Sequence, residues 1–334
     1  MPRQSRIDAP GALHHVIVRG NAQRKIFFDD KDRDRFLERF GIILNETDTA
    51  CYAWALLPNH FHLLLKTGST SLSTVMRRFL TGYAVSFNKR YKRWGHLFQN
   101  RYKSILCQEE AYLLELVRYI HLNPLRARLT EDMKELGRFK YCGHGVILGR
   151  FENDWQDTDY ILKRFGALRS DARREYRMFV AKGIARGKRP ELTGGGLIRS
   201  AGGWSALKNL RKTKVYIKGD ERILGDGDFV QQSLGRANEK MESKYRLRAQ
   251  GYNLEKIAQR VSEVFDIPIE NVFAAGKNRE TVQARSLLCY WAVKECGMAM
   301  VVLAKRFEIS STAVGQSILR GERIATEKGL SLMP

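Results

Sequence analysis

The stretch CYAWALLPNHFHLLLKT, residues 51–67, restricts the fold more than any other. Two apolar runs of strand length, 51–57 and 60–67, are separated only by Pro58 and Asn59. So short a connection between strands implies an antiparallel hairpin. Side chains alternate faces along a strand, so His60 and His62 share one face and Phe61 and Leu63 the other. The Phe61 face fills a core. The two imidazoles stand about 6.6 Å apart along the strand, within reach of one cation. A lone His-x-His also reads as a solvated polar strand face, so the pair needs a counterpart elsewhere.

VRYIHLNP, residues 117–124, supplies a candidate. Tyr119 and Asn123 are spaced i, i+4 and lie one turn apart on one helix face. Taken singly, Tyr119 reads as a core-edge tyrosine and Asn123 as a helix C-terminal residue before proline. Together with the histidines they suit phosphodiester chemistry. A divalent metal held by His60, His62 and the Asn123 amide oxygen polarises a phosphate, and Tyr119 attacks it to form a phosphotyrosine. Tyr112, two turns earlier or about 10 Å away, is a rival nucleophile without an amide at i+4. His121, two positions from Tyr119, falls on another helix face and reads as structural or nucleic-acid-contacting. His14 and His15 are adjacent in a strand, so only one can face this site; sheet packing is their default role.

Around the hairpin the pattern extends both ways. LHHVIVRG (13–20) reads as a strand and 29–47 as a capped helix. Residues 71–92 read as a long basic helix, 95–107 as a strand, and 109–124 as a helix stopped by Pro124. The order β-α-β-β-α-β-α is a split-βαβ arrangement with helices on one face of the sheet. Residues 130–190 look helical and charged. TGGGLIRSAGGW (193–204) looks like a linker, 205–235 carry no clear pattern, and helical periodicity returns over 239–321. The expected domains are 1–130, a helical extension and Gly-rich linker over 131–200, and a helical domain over 205–334.

A formal net charge of +22 in 334 residues points to a polyanionic partner, nucleic acid first. No apolar run of about 18 residues argues for a membrane span, and the start carries no apolar signal core, which points to the cytoplasm. Five scattered cysteines without a CxxC pair argue against a zinc ribbon or disulfide scaffold. Residues 76–103 interleave Arg77, Arg78, Lys89, Arg90, Lys92, Arg93, Arg101 and Lys103 with aromatics, as a nucleic-acid surface does. Within them Phe79, Tyr83 and Phe87 read as a core stripe, and Arg101 and Lys103 share a face of the strand after Gly95.

The segments LLPNHFHLLLK, RRFLTGYAVSFNKRYKRWGHLFQNRYKSILC and LVRYIHLNPLRARL resemble the HUH single-tyrosine transposases, and within them the REP-associated branch. The resemblance spans about residues 8–130. It implies a ferredoxin-like α+β fold, His60, His62 and Asn123 as ligands of Mg²⁺ or Mn²⁺, and Tyr119 as nucleophile. It also implies cleavage and rejoining of single-stranded DNA near hairpins through a 5′-phosphotyrosine. Relaxases of the same superfamily generally carry three histidines and place the tyrosine before them; here it follows.

In MVVLAKRFEISSTAVGQSILRG (300–321) the pattern is helix, turn, helix. Val301, Val302, Leu303 and Phe307 are the expected core face, Ser310 or Ser311 the cap, and Ser311 and Thr312 the residues at a major groove. A packed helical element without DNA contact is the plainer alternative. Residues 253–320 resemble the C-terminal DNA-binding domain of the replication initiator DnaA, which implies phosphate contacts from Lys277, Arg279 and Arg285. The initiator's Arg-Asp-His-Thr signature is replaced by ISSTAVG, so a different duplex site, or only general affinity, is implied. The whole reads as a transposase, monomeric or dimeric, that takes hairpin DNA and, through its C-terminal region, duplex DNA. A non-catalytic DNA-binding regulator and an RNA-hairpin-binding protein are the other classes.

Overall fold

A computed structural model describes residues 7–187, 189–193, 220–235, 237, 247, 251–276 and 278–333. The chain forms two compact units, residues 1–234 and 235–334.

The first unit is built on the hairpin. β2 (Ala50–Leu57) and β3 (His60–Lys66) turn at Pro58 and Asn59. β3 pairs antiparallel with β1 (Leu13–Arg19), which pairs antiparallel with β4 (Lys103–Cys107). The order β2-β3-β1-β4 is that of a ferredoxin-like sheet, and β5 (Ile223–Leu224) adds a fifth strand parallel to β4. Val16, Val18, Trp54, Leu56, Phe61, Leu63 and Leu65 face α1 (Asp30–Glu46) and α2 (Leu72–Arg90). Phe79, Tyr83 and Phe87 are buried in that core, as their spacing requires.

The opposite sheet face is not open. Leu13, Ala55, Leu57, Leu64, Ile105 and Cys107 form a second core with α3 (Glu109–His121) and the helices that follow. The expectation of helices on one face is corrected. Leu113, Leu116, Val117 and Ile120 give α3 an apolar stripe, and that stripe needs cover. Pro124 also does more than stop α3. It opens a short helix, α4 (Asn123–Arg126), at a first-turn position that needs no N–H donor. α5 (Met133–Arg138), α6 (Gly143–Ile147), α7 (Thr158–Leu162) and α8 (Arg169–Lys182) wrap the same side.

The strand expected over 95–107 is shortened to 103–107; before it, only Phe98 makes a bridge, with Gly20. The polar run GHLFQNRY lacks alternation, and Gly95 sits at φ +88°. Arg101 thus lies on a bend, outside the strand that carries Lys103. The linker expected over 193–204 lies outside the described residues apart from Thr193. Residues 227–235 are helical. All five cysteines are buried free thiols.

A charge cluster pins the start of α1. Asp29 caps the helix by accepting from Asp32 N–H. Asp32, 2% exposed, accepts from Phe28 N–H and Tyr91 Oη, both at 2.9 Å. Arg90 bonds both carboxylates, and its guanidinium holds Asp29 down at about 2. Asp32→Ala strips an acceptor from all three donors and should cost about 3 kcal/mol, read as a lower urea midpoint at unchanged slope.

In the second unit α9 (Leu254–Phe265), α10 (Ile269–Phe273), α11 (Arg279–Tyr290), α12 (Met300–Arg306) and α13 (Ser311–Lys328) enclose Ile257, Val261, Val272, Leu287, Trp291, Leu303, Val314 and Ile318. Ser310 is the cap of α13, accepting from Ala313 N–H at 3.1 Å. Leu303 packs with Met300, Ala304 and Phe307, one face of the helix. Val301 and Val302 are 56% and 51% exposed, so their expected place in the core is corrected. No helix among the described residues is long and apolar enough to cross a membrane.

Candidate active site at the His-x-His strand

Cross-strand pairs point to the same face of a sheet. Ile17 lies opposite His62, Arg19 opposite His60, and Lys103 opposite Ile17. The histidine face therefore gathers His15, Arg19, His60, His62 and Lys103 around Ile17. Tyr119 comes down on it from the last turn of α3. Its ring meets His62 edge-on at 5.8 Å between centroids and His15 at 5.9 Å. The His60 and His62 rings stand 5.3 Å apart. The residues expected to carry nucleophile and metal pair meet in one place. Of the adjacent histidines in β1, His15 faces this site and His14 lies 3.4 Å from Asp8.

Both candidate ligands are neutral. Burial, and then Arg19, bring His60 down to about 4. Burial holds His62 well below the ordinary histidine value, with His15, His60 and Arg19 adding to it. His60 Nδ1 donates to Asn59 Oδ1 at 2.6 Å, and His62 Nδ1 bonds His15 Nε2 at 3.0 Å. In both rings Nε2 is left as the donor to a metal, the usual division of labour in a ligating imidazole. Asn123, 8% exposed, turns its Nδ2 to the carbonyls of Tyr119 and Ile120, at 3.1 and 3.3 Å. Only an amide NH₂ can meet two carbonyls, so Oδ1 is the end directed away from them. Its polar contacts run to α3, not to the histidines.

Among the described residues no three or more His, Cys, Asp and Glu side chains are grouped to hold a metal. Two neutral imidazoles completed by an amide or by substrate and solvent oxygens form a mixed nitrogen–oxygen set, which a first-row divalent cation such as Mn²⁺ accepts more readily than oxygen-seeking Mg²⁺. Mn²⁺ affinity should stay flat from about pH 8 to about pH 5 and fall below that, because His60 takes up a competing proton only near 4. Electron paramagnetic resonance titration of free Mn²⁺ checks this; a fall already at about pH 6.5 contradicts it.

Burial raises the Tyr119 phenol above the ordinary tyrosine value; Arg126, a hydrogen bond with Thr193 and Arg19 draw it back. Arg126 lies 5.2 Å from the Tyr119 ring centroid and donates to the Tyr119 carbonyl at 3.3 Å. Arg19 and Arg126 were not singled out by the sequence. Strand alternation from His15 through Ile17 to Arg19, and the i+7 spacing of Arg126 from Tyr119, are the signals that carry them. The segment Pro190–Leu192 and Thr193 also reach this face. The Leu192 carbonyl lies 3.2 Å from His15 Nδ1, and the Thr193 carbonyl accepts from Lys103 Nζ at 2.6 Å.

Other sequence candidates fall elsewhere. His121 is buried, and Tyr176 Oη lies 2.7 Å from its Nδ1 and 2.7 Å from that of His144, tying α3, α6 and α8 together. Tyr112 packs at the edge of the second core. Arg77, Lys89, Lys92 and Arg101 are exposed. Arg78 pairs with Glu46, and Arg93 lies 5.6 Å from the Phe87 ring centroid. Arg90 is committed to Asp29 and Asp32, which corrects its expected place at a phosphate. A groove of about 710 Å³ between α2 and residues 95–102 includes Arg77, Phe98 and Arg101 in its wall. In the second unit Arg279, Ser311 and Thr312 are exposed. Arg285 holds the loop before α11 through the Ala274 and Gly276 carbonyls, both at 3.4 Å. Lys277 lies outside the described residues.

Residues 10–123 match the family described as Transposase IS200 like. Among solved structures, a REP-associated tyrosine transposase bound to a REP hairpin is similar at 16% identity and a TM-score of 0.37, over 47% of this chain and 94% of that one. No curated protein matches the chain.

Proposed function

We propose that the first unit is a metal-dependent transposase domain that cuts and rejoins single-stranded DNA beside hairpins, with Tyr119 as nucleophile. The observation that carries this reading is the Tyr119 ring lying 5.8 Å from His62 on the face shared with His60. The family match over residues 10–123 supports it.

In this reading His60, His62 and Asn123 hold Mg²⁺ or Mn²⁺. Bound there, the cation withdraws charge from a scissile phosphate. Arg19 and Arg126 flank the nucleophile and neutralise phosphate oxygens, and both favour the phenolate. Tyr119 Oη bonds to phosphorus as the bond to the 3′ oxygen breaks. The phenol gives up its proton and the departing 3′ oxygen takes one. The ester retains the energy of the broken bond, so a 3′-OH can reverse the step without a nucleotide cofactor. Hairpin DNA is the substrate proposed, in keeping with the REP hairpin held by the similar solved protein.

The second unit is proposed to bind duplex DNA. Exposed Ser311 and Thr312 open α13, and Arg279 opens α11. Residues 253–320 resemble an initiator's DNA-binding domain. Filter binding over a salt series, duplex against single strand, tests it.

The test of the catalytic reading is a denaturing gel with labelled single-stranded hairpin oligonucleotides. A Mn²⁺-dependent protein–DNA adduct that chelation abolishes is the expected result. Hairpin binding without any adduct would leave the regulator reading, and preference for RNA hairpins the RNA-binding one.

A further inference from the structure

The histidine pair is served by a third imidazole that no ligand set includes. His15 is fully buried and touches both partners of the site. Its ring lies beside that of His62, 26° from parallel and 5.3 Å between centroids, and meets the Tyr119 ring edge-on at 5.9 Å. Its Nε2 lies 3.0 Å from His62 Nδ1 and its Nδ1 3.2 Å from the Leu192 carbonyl oxygen. A carbonyl can only accept, so His15 Nδ1 carries the proton. Full burial disfavours a charged ring, so in neutral His15 Nε2 is the lone pair and His62 Nδ1 the donor to it. That fixes the second His62 nitrogen, Nε2, as the unprotonated one, which is what metal ligation requires.

We propose that His15 is a positioning residue. It acts through His62, setting that ring's tautomer and orientation, and is itself anchored by the backbone of Leu192. The inference rests on the reading of His62 as a metal ligand. It adds that the site is completed by the 189–193 segment, about 70 residues past the end of the transposase match at 123. That segment is held in place independently. Arg189 pairs with Glu115 at 3.1 Å, Leu192 is 1% exposed in the second core, and Lys103 donates to the Thr193 carbonyl.

The test uses the full chain with labelled histidines and no metal. Long-range ¹H–¹⁵N correlation of the imidazoles, assigned with His62→Gln, reads the His62 tautomer directly. The wild-type protein is expected to show the proton on Nδ1. His15→Leu removes the acceptor and should release His62 to the Nε2–H form, with Mn²⁺ affinity falling about 10- to 100-fold. His15→Gln, whose amide can accept from His62 and donate to Leu192, should keep both tautomer and affinity. A wild-type His62 protonated on Nε2 overturns the proposal without any variant, as does a folded His15→Leu with unchanged tautomer and affinity. Because the tautomer is read without metal or DNA, absence of cleavage would count against the transposase reading alone.

Discussion

Tyr119→Phe should lower covalent strand cleavage by at least about 10³-fold, the scale of losing a nucleophile, while Mn²⁺ binding and thermal stability change little. Phenylalanine keeps the ring that packs edge-on to His62 and His15. What goes is the hydroxyl and its hydrogen bond with Thr193. The adduct band on a denaturing gel and Mn²⁺ affinity are the two readouts, and they must separate. Tyr112→Phe is the control: its ring belongs to the edge of the second core and should leave the adduct in place. An adduct that survives Tyr119→Phe but is lost in Tyr112→Phe would reassign the nucleophile.

The largest stability effect is expected in the second unit. α11 and α13 cross where Gly321 lies over Ser286. A Cβ at 321 would sit 2.0 Å from the Ser286 carbonyl oxygen and 2.5 Å from its carbon. Both are backbone atoms of a packed helix, so no side chain can swing aside. Even Gly321→Ala must push the helices apart, opening contacts among Leu287, Leu288, Val314 and Ile318. Overpacking of this kind costs about 3 kcal/mol or more. Calorimetry and hydrogen exchange should show weakened protection in α11 and α13, with the sheet of the first unit, which has its own cores, unchanged. Equal loss in both units would mean that they do not melt separately.

Much of the first unit was legible because its signals are local. The two-residue turn at Pro58 and Asn59 sets the hairpin, and alternation assigns His60 and His62 to one face. The i, i+4 spacing sets Tyr119 over Asn123. What could not be read is non-local. The polar run 95–102 follows α2 without a period. β5 is two residues long and is defined only by its pairing with Leu106 and Cys107. Arg90 looked like one cation among many, yet Asp29 and Asp32, about sixty residues earlier, claim it. In α12 the run of three apolar residues concealed a helical phase that only packing on Leu303 resolves. Arg19 and Arg126 draw their importance from proximity to Tyr119, which sequence spacing alone does not give.

The short fifth strand bears on how much of this protein can be transplanted. Cutting the chain where the transposase match stops would strip the outer edge of β4 and leave its N–H and C=O groups open to pairing with other molecules. The same cut would discard the carbonyl that orients His15. The smallest piece that folds on its own with the histidine face complete is therefore expected to run to residue 234, the end of the first compact unit. A piece ending near residue 130 should self-associate through that bare edge, giving large species by light scattering at concentrations where the longer piece remains a single small one.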